Sequence, residues 1–237
     1  MSLEYLGESK SGQRSPKPLV DTKHSHNNGK EVNFLVLGKH SVGKTALTVR
    51  YLTKRFIGDY NSEQEMLYSH CTVLDGKHVT LHIIDTRGQD KLEDVSEDQV
   101  RWADSVIVVF AINDKDSFEL ARSIVEYIHN VRENTNIPVG LVANKSDLID
   151  RNDVSDTELT RFCAEFNLYF FETSASEARH SVIEVFTVLA RQVRIMIKKR
   201  EKLTRFMSNP AVAAKLQIQQ SFRNLAERAW RSRTSTL

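Results

Sequence analysis

The chain has 237 residues, of which 27% are charged and 40% hydrophobic. That is ordinary globular composition, enough for one to one and a half domains and a real core. A net charge of only +2 argues against a dedicated nucleic-acid binder. Two cysteines without CxxC spacing, Cys71 and Cys163, exclude a disulfide scaffold or a zinc site of that kind.

Residues 1–30 are rich in Ser, Lys, His, Asn and Gly, with Pro16 and Pro18 and few large apolar side chains. Such a segment buries too little surface to offset its chain entropy and is expected to be a disordered arm. It lacks the apolar stretch of a secretory signal. His24 and His26 are read as solvated, because no further metal ligand stands at a useful spacing.

Residues 31–200 alternate strand-like and helical runs. Strands are predicted at 32–37 (VNFLVL), 71–74, 79–84, 106–112 (VIVVFAI), 138–143 and 169–172. Asp75-Gly76, between the second and third, signals a tight hairpin turn. Helices are predicted at 45–54, 117–131, 157–166 and 181–199. Apolar strands alternating with helices imply an α/β domain, a mostly parallel sheet with helices on both faces. No apolar run is long enough to span a bilayer. An intracellular protein with reduced thiols is the expectation.

The first strand runs into Gly38-Lys39-His40-Ser41-Val42-Gly43-Lys44-Thr45, which fits GxxxxGK[ST]. Such a loop wraps a phosphate, so glycines stand where a Cβ would clash or φ must be positive. Backbone N–H groups of the loop and of the first turn of the following helix, Ala46 among them, point at the anion. Lys44 supplies a charge for the outer phosphates, and the Thr45 hydroxyl can meet Mg²⁺.

Two further motifs choose among nucleotides. Asp85-Thr86-Arg87-Gly88-Gln89 follows the strand at 79–84. Asp85 can hold Mg²⁺, and Gly88 can present its N–H to a γ-phosphate. Asn144-Lys145-Ser146-Asp147 follows the strand at 138–143. There a carboxylate can accept from the N1–H and 2-amino groups of guanine, a donor pair that adenine lacks. Glu172-Thr173-Ser174-Ala175 follows the last strand, where backbone N–H groups could meet the guanine oxygen. All lie at the strand ends where open α/β sheets bind ligands.

These motifs, in this order and spacing, resemble those of the small GTPases of the Ras superfamily over residues 31–200. Arg55-Phe56-Ile57-Gly58-Asp59-Tyr60 and the missing lipidation signal are most similar to the RERG/Ras-like branch. The resemblance implies a P-loop NTPase fold with a six-stranded mixed sheet. It implies GTP and GDP as ligands, Mg²⁺ as cofactor, and a monomer whose switch loops meet effectors and regulators. Phe56 would pack on the guanine base. Residues 58–68 would form the first switch and 88–100 the second. Gln89 would orient the attacking water, as the catalytic partner of Lys44.

Three positions depart from the Ras pattern. His40 replaces a glycine beside the γ-phosphate, where it either crowds the attacking water or points to solvent. Glu63 stands where the first switch has a threonine, with Ser62 one residue away. Arg87 replaces a small residue and either acts as an internal cation or projects outward. Slow hydrolysis is the expectation, and a hydrolysis-poor adapter is the alternative.

The small net charge conceals an asymmetry. From position 198 onward ten basic residues face only Glu201 and Glu227, a net of +8, which leaves −6 for residues 1–197. Residues 201–237 are expected to be a basic, partly helical extension that could meet an anionic membrane or RNA. The chain ends Arg233-Thr-Ser-Thr-Leu237 and begins Met1-Ser2, so no familiar lipid anchor is expected.

Overall fold

The computed structural model describes residues 30–56, 64–133, 136–151 and 154–208. The arm expected at 1–30 therefore lies outside the described residues except for Lys30. So do Ser62, Glu63 and the extension beyond 208.

Six strands form one sheet in the order β2-β3-β1-β4-β5-β6. They are β1 (Glu31–Leu37), β2 (Met66–Leu74), β3 (Lys77–Asp85), β4 (Ser105–Ala111), β5 (Val139–Asn144) and β6 (Tyr169–Glu172). Only β2 runs antiparallel to its neighbour; every other pairing is parallel. All residues of the central β4 are buried, which its unbroken apolar run SVIVVFA anticipates. Among the described residues five α-helices cover the sheet: α1 (Lys44–Thr53), α2 (Glu97–Trp102), α3 (Lys115–Val131), α4 (Asp156–Phe166) and α5 (Arg179–Met207).

Alternation along β1 divides the core. Phe34 and Val36 join a cluster with residues of α1 and α5, while Leu35 and Leu37 join α2 and α3 on the opposite face. On the first face the ring of Phe186 stacks on Tyr51 at 4.1 Å and meets Phe34 edge-on at 5.5 Å. On the second, Phe118 lies between Phe110 and Phe162. Such aromatic pairs contribute about 0.5–1.5 kcal/mol beyond area burial.

The hairpin at Asp75-Gly76 is present, with φ of 51° and 73°. Both residues are left-handed, as a tight primed turn requires. The turn is clasped by α5: Arg191 Nε donates to Asp75 Oδ1 at 3.0 Å, and buried Arg194 donates to the Leu74 carbonyl at 3.0 Å.

Three elements differ from the expectation. β2 begins at Met66, five residues before the predicted strand. It is an edge strand exposed on much of its length, so Tyr68, Ser69 and His70 read as loop although they pair with β3. α2 was expected only as part of a switch; it is capped by Ser96, whose hydroxyl accepts from Gln99 N. α5 continues to Met207, past the expected domain boundary at 200. Its added turns contain good helix formers and no Gly or Pro. They leave Leu203, Phe206 and Met207 exposed. No described helix is long and apolar enough to cross a membrane.

Candidate functional site

The loop between β1 and α1 lies where the parallel strands end. Gly38 has φ 145°, and a Cβ there would collide with the Val109 carbonyl of β4. Gly43 has φ 96°, and a Cβ there would collide with Asn144 Nδ2. Both glycines are therefore required by φ and by space. Gly43 also caps α1 without a side-chain bond, leaving first-turn N–H groups open to an anion.

Lys44 Nζ donates to the carbonyls of Gly38 (2.8 Å) and Lys39 (3.0 Å), so the loop curls around its own ammonium group. Burial lowers its pKa to about 8, against the pull of the Asp85 charge. Asp85 ends β3 and is 1% exposed. Burial raises its pKa to about 6, while the Thr45 hydroxyl and the Lys44 charge pull it down. Its Oδ1 has no hydrogen-bond partner among the described residues. An unpaired buried carboxylate oxygen beside a threonine hydroxyl suits a hard divalent cation, so Thr45 and Asp85 fit Mg²⁺. Among the described residues no group of three or more His, Cys, Asp or Glu could hold a metal. A cation here would complete its shell with phosphate oxygens and water.

Asn144, at the end of β5, ties the parts together. Its Nδ2 donates to the Val42 carbonyl at 2.8 Å. Its Oδ1 accepts from Thr173 Oγ1 at 3.1 Å and from Ala175 N at 3.2 Å. One amide thus joins the phosphate loop, the β5 end and the loop after β6.

Between these loops lies a cleft of about 420 Å³. Of the residues expected at the site, His40, Ser41, Gly43, Lys44, Thr45, Ala46, Phe56, Gly88, Asn144, Lys145, Asp147 and Ala175 line it. Gly38, Lys39, Val42, Asp85 and Ser174 are not part of that lining. Lys39 is ion-paired with Asp114 at 3.4 Å, and Ser174 Oγ caps the turn at Glu177 N. Leu148 and Ser176 also line the cleft and were missed. Leu148 is 40% exposed and Phe56 47%, so two apolar side chains border the base end. The signal for Leu148 was an apolar pair, Leu148-Ile149, directly after Asp147.

Gln89, expected to orient the attacking water, turns its amide to protein partners in this arrangement. It is 2% exposed and absent from the cleft lining. Its Oε1 accepts from Gly38 N at 2.8 Å. Its Nε2 donates to Thr86 Oγ1 at 3.0 Å and to the Arg87 carbonyl at 2.7 Å. The amide is committed to protein partners because the chain after β3 folds against the phosphate loop.

His40 matches neither expected placement alone. Its ring is half-exposed, occupies the space where a Gly88 Cβ would sit, and sets Nε2 3.7 Å from Asp90. It bridges the phosphate loop to the segment after β3. Arg87 is exposed and does not line the cleft, in keeping with the outward placement.

The model of the Ras family matches residues 33–195. The zebrafish (Danio rerio) Ras-like protein family member 11A-like is 39% identical over 172 residues, covering 69% of this chain and 68% of that protein. The Bos taurus Ras-related and estrogen-regulated growth inhibitor is 35% identical over 164 residues, covering 69% and 82%. The Homo sapiens Ras-like protein family member 11A is 34% identical over 195 residues, covering 79% and 81%. The fold and the four motifs agree with these likenesses. The chain belongs to the Ras family, the small GTPases that act as guanine-nucleotide signalling switches.

Proposed function

We propose that this protein binds GTP and GDP with Mg²⁺ in the cleft and hydrolyses GTP slowly. The observation that carries the reading is the convergence of Lys44, Thr45, Phe56 and Asp147 on one cleft at the sheet's C-terminal edge. Lys44 and the α1 N-terminus hold the phosphates. Thr45 and Asp85 hold the metal, which when bound neutralises phosphate charge. Asp147 accepts hydrogen bonds from guanine between the apolar borders Phe56 and Leu148. The GTP-binding unit is residues 31–200, beyond which α5 continues as an exposed helix to Met207.

Slow hydrolysis has two supports. Gln89 is buried and both hydrogens of its amide are held by protein acceptors, so it does not reach a water in the cleft in this arrangement. His40 covers Gly88, whose N–H is expected to meet the γ-phosphate. Single-turnover hydrolysis of the wild type beside His40→Gly tests the second support; a faster variant agrees and equal rates contradict it.

The burial of Gln89 also favours the second reading, a hydrolysis-poor adapter that recruits partners through its switch surfaces and basic extension. Effectors and regulators would meet the switch segments. The extension would meet an anionic membrane surface or RNA. GTP turnover with Mg²⁺ separates the two readings: measurable catalytic turnover supports the GTPase, and stable binding without turnover the adapter.

A further inference from the structure

The bonds of Gln89 converge on the two residues that hold Lys44. Besides accepting from Gly38 N, Gln89 donates its own backbone N–H to the Gly38 carbonyl at 3.2 Å. Gln89 and Lys39 form an isolated parallel β-bridge. Gly38 and Lys39 are the residues whose carbonyls receive the Lys44 ammonium. The chain of contact therefore runs from Gln89 through Gly38 and Lys39 to Lys44. At its far side it is anchored by Thr86, whose hydroxyl accepts from Gln89 Nε2 and donates to the Val36 carbonyl at 2.7 Å.

We propose that Gln89 is a positioning residue, a latch that fastens the chain after β3 to the phosphate loop and thereby governs how firmly Lys44 holds a nucleotide. This rests on reading the cleft as a guanine-nucleotide site. Every side-chain hydrogen of the Gln89 amide is used, and its oxygen is taken by Gly38. The side chain is also 2% exposed and absent from the cleft lining, so the amide serves the loop rather than the cleft. The latch ties the segment at its first residues, so motion of the second switch begins after Gln89. Activation that needs this glutamine at a water must first break its bond to Gly38. Breaking it loosens the loop that holds the phosphates, so hydrolysis competence and nucleotide retention are coupled through one side chain.

The test is the rate of release of fluorescently labelled GDP, which involves no hydrolysis. Gln89→Met keeps the length and fills the site but removes the side-chain bonds to Gly38 N, Thr86 and Arg87, leaving the backbone bond to the Gly38 carbonyl. It should speed release about tenfold, as loss of buried hydrogen bonds implies. Thr86→Val, which removes only the anchor, should speed it less. The double variant should release no faster than Gln89→Met, because both act through one chain of contact. Release from Gln89→Met within twofold of wild type would overturn the latch, as would additive effects in the double variant. If the wild type takes up no GDP, the reading of the cleft fails separately. The latch is then judged by hydrogen exchange at the Gly38 amide. Faster exchange in Gln89→Met supports it, and unchanged exchange overturns it.

Discussion

Asn144 and Val42 are 102 residues apart in sequence, yet Asn144 Nδ2 donates to the Val42 carbonyl at 2.8 Å. This bond fixes the base end of the cleft to its phosphate end. Asn144→Ala would leave the Val42 carbonyl, Thr173 Oγ1 and Ala175 N without this partner in a buried setting. The expected cost is about 2–4 kcal/mol of unfolding free energy, measured by urea denaturation, because unmade buried hydrogen bonds cost more than made ones gain. GDP affinity should fall with it. Asn144→Asp keeps an acceptor and should cost less.

Gly88 and His40 are predicted to be coupled. Gly88→Ala drives a methyl into the imidazole, which is half-exposed and can swing away. A loss of about 1 kcal/mol is expected. His40→Gly opens that space, so Gly88→Ala in the His40→Gly background should cost almost nothing. A double-mutant cycle by thermal unfolding reads the interaction directly; additive losses would mean the ring does not sit on Gly88.

Mg²⁺ binding should weaken on acidification. The Asp85 pKa is raised to about 6, chiefly by burial. Above that pH the carboxylate is charged and ready for the metal; below it a proton must be expelled first. Apparent Mg²⁺ affinity of the nucleotide complex should be flat from pH 8 to 7 and fall below pH 6, by up to about tenfold per unit. For the metal-free fold the sign is opposite. The raised pKa favours the protonated form, so this group's contribution is most favourable below its ordinary value of 3.8. It becomes unfavourable as pH rises through about 6.

Arg194 is predicted to matter for stability although it lies far from the cleft. It is 7% exposed, donates to the Leu74 carbonyl and lies 3.9 Å from Asp75. Arg194→Met keeps the stem packed but removes its bond to that carbonyl. A loss of about 1–3 kcal/mol is expected, read as a lower melting temperature with GDP affinity unchanged.

The central sheet was legible because β1, β4 and β5 are mostly apolar, and such runs have few other uses. The cleft residues were legible for a related reason: glycines and a lysine at fixed spacing after a strand answer to one chemistry. Edge strand β2 was largely hidden, since half its residues face solvent and carry no pattern. The end of α5 was hidden because a basic run resembles a helix stop as much as a projecting helix. The contact that Gln89 makes was hidden for a different reason. The role of Gln89 depends on whether an amide finds water or a backbone N–H from a loop 51 residues earlier, and local spacing carries no record of that contact.

Specific guanine binding is the claim on which the rest depends. Titration of the purified, nucleotide-free protein with GDP and then ADP, each with Mg²⁺, tests it most directly. Asp147 beside Phe56 and Leu148 should favour GDP by at least about a hundredfold, since a site built to pair with a donor set rejects a base without it. Equal affinity for the two, or binding of neither, would contradict the account.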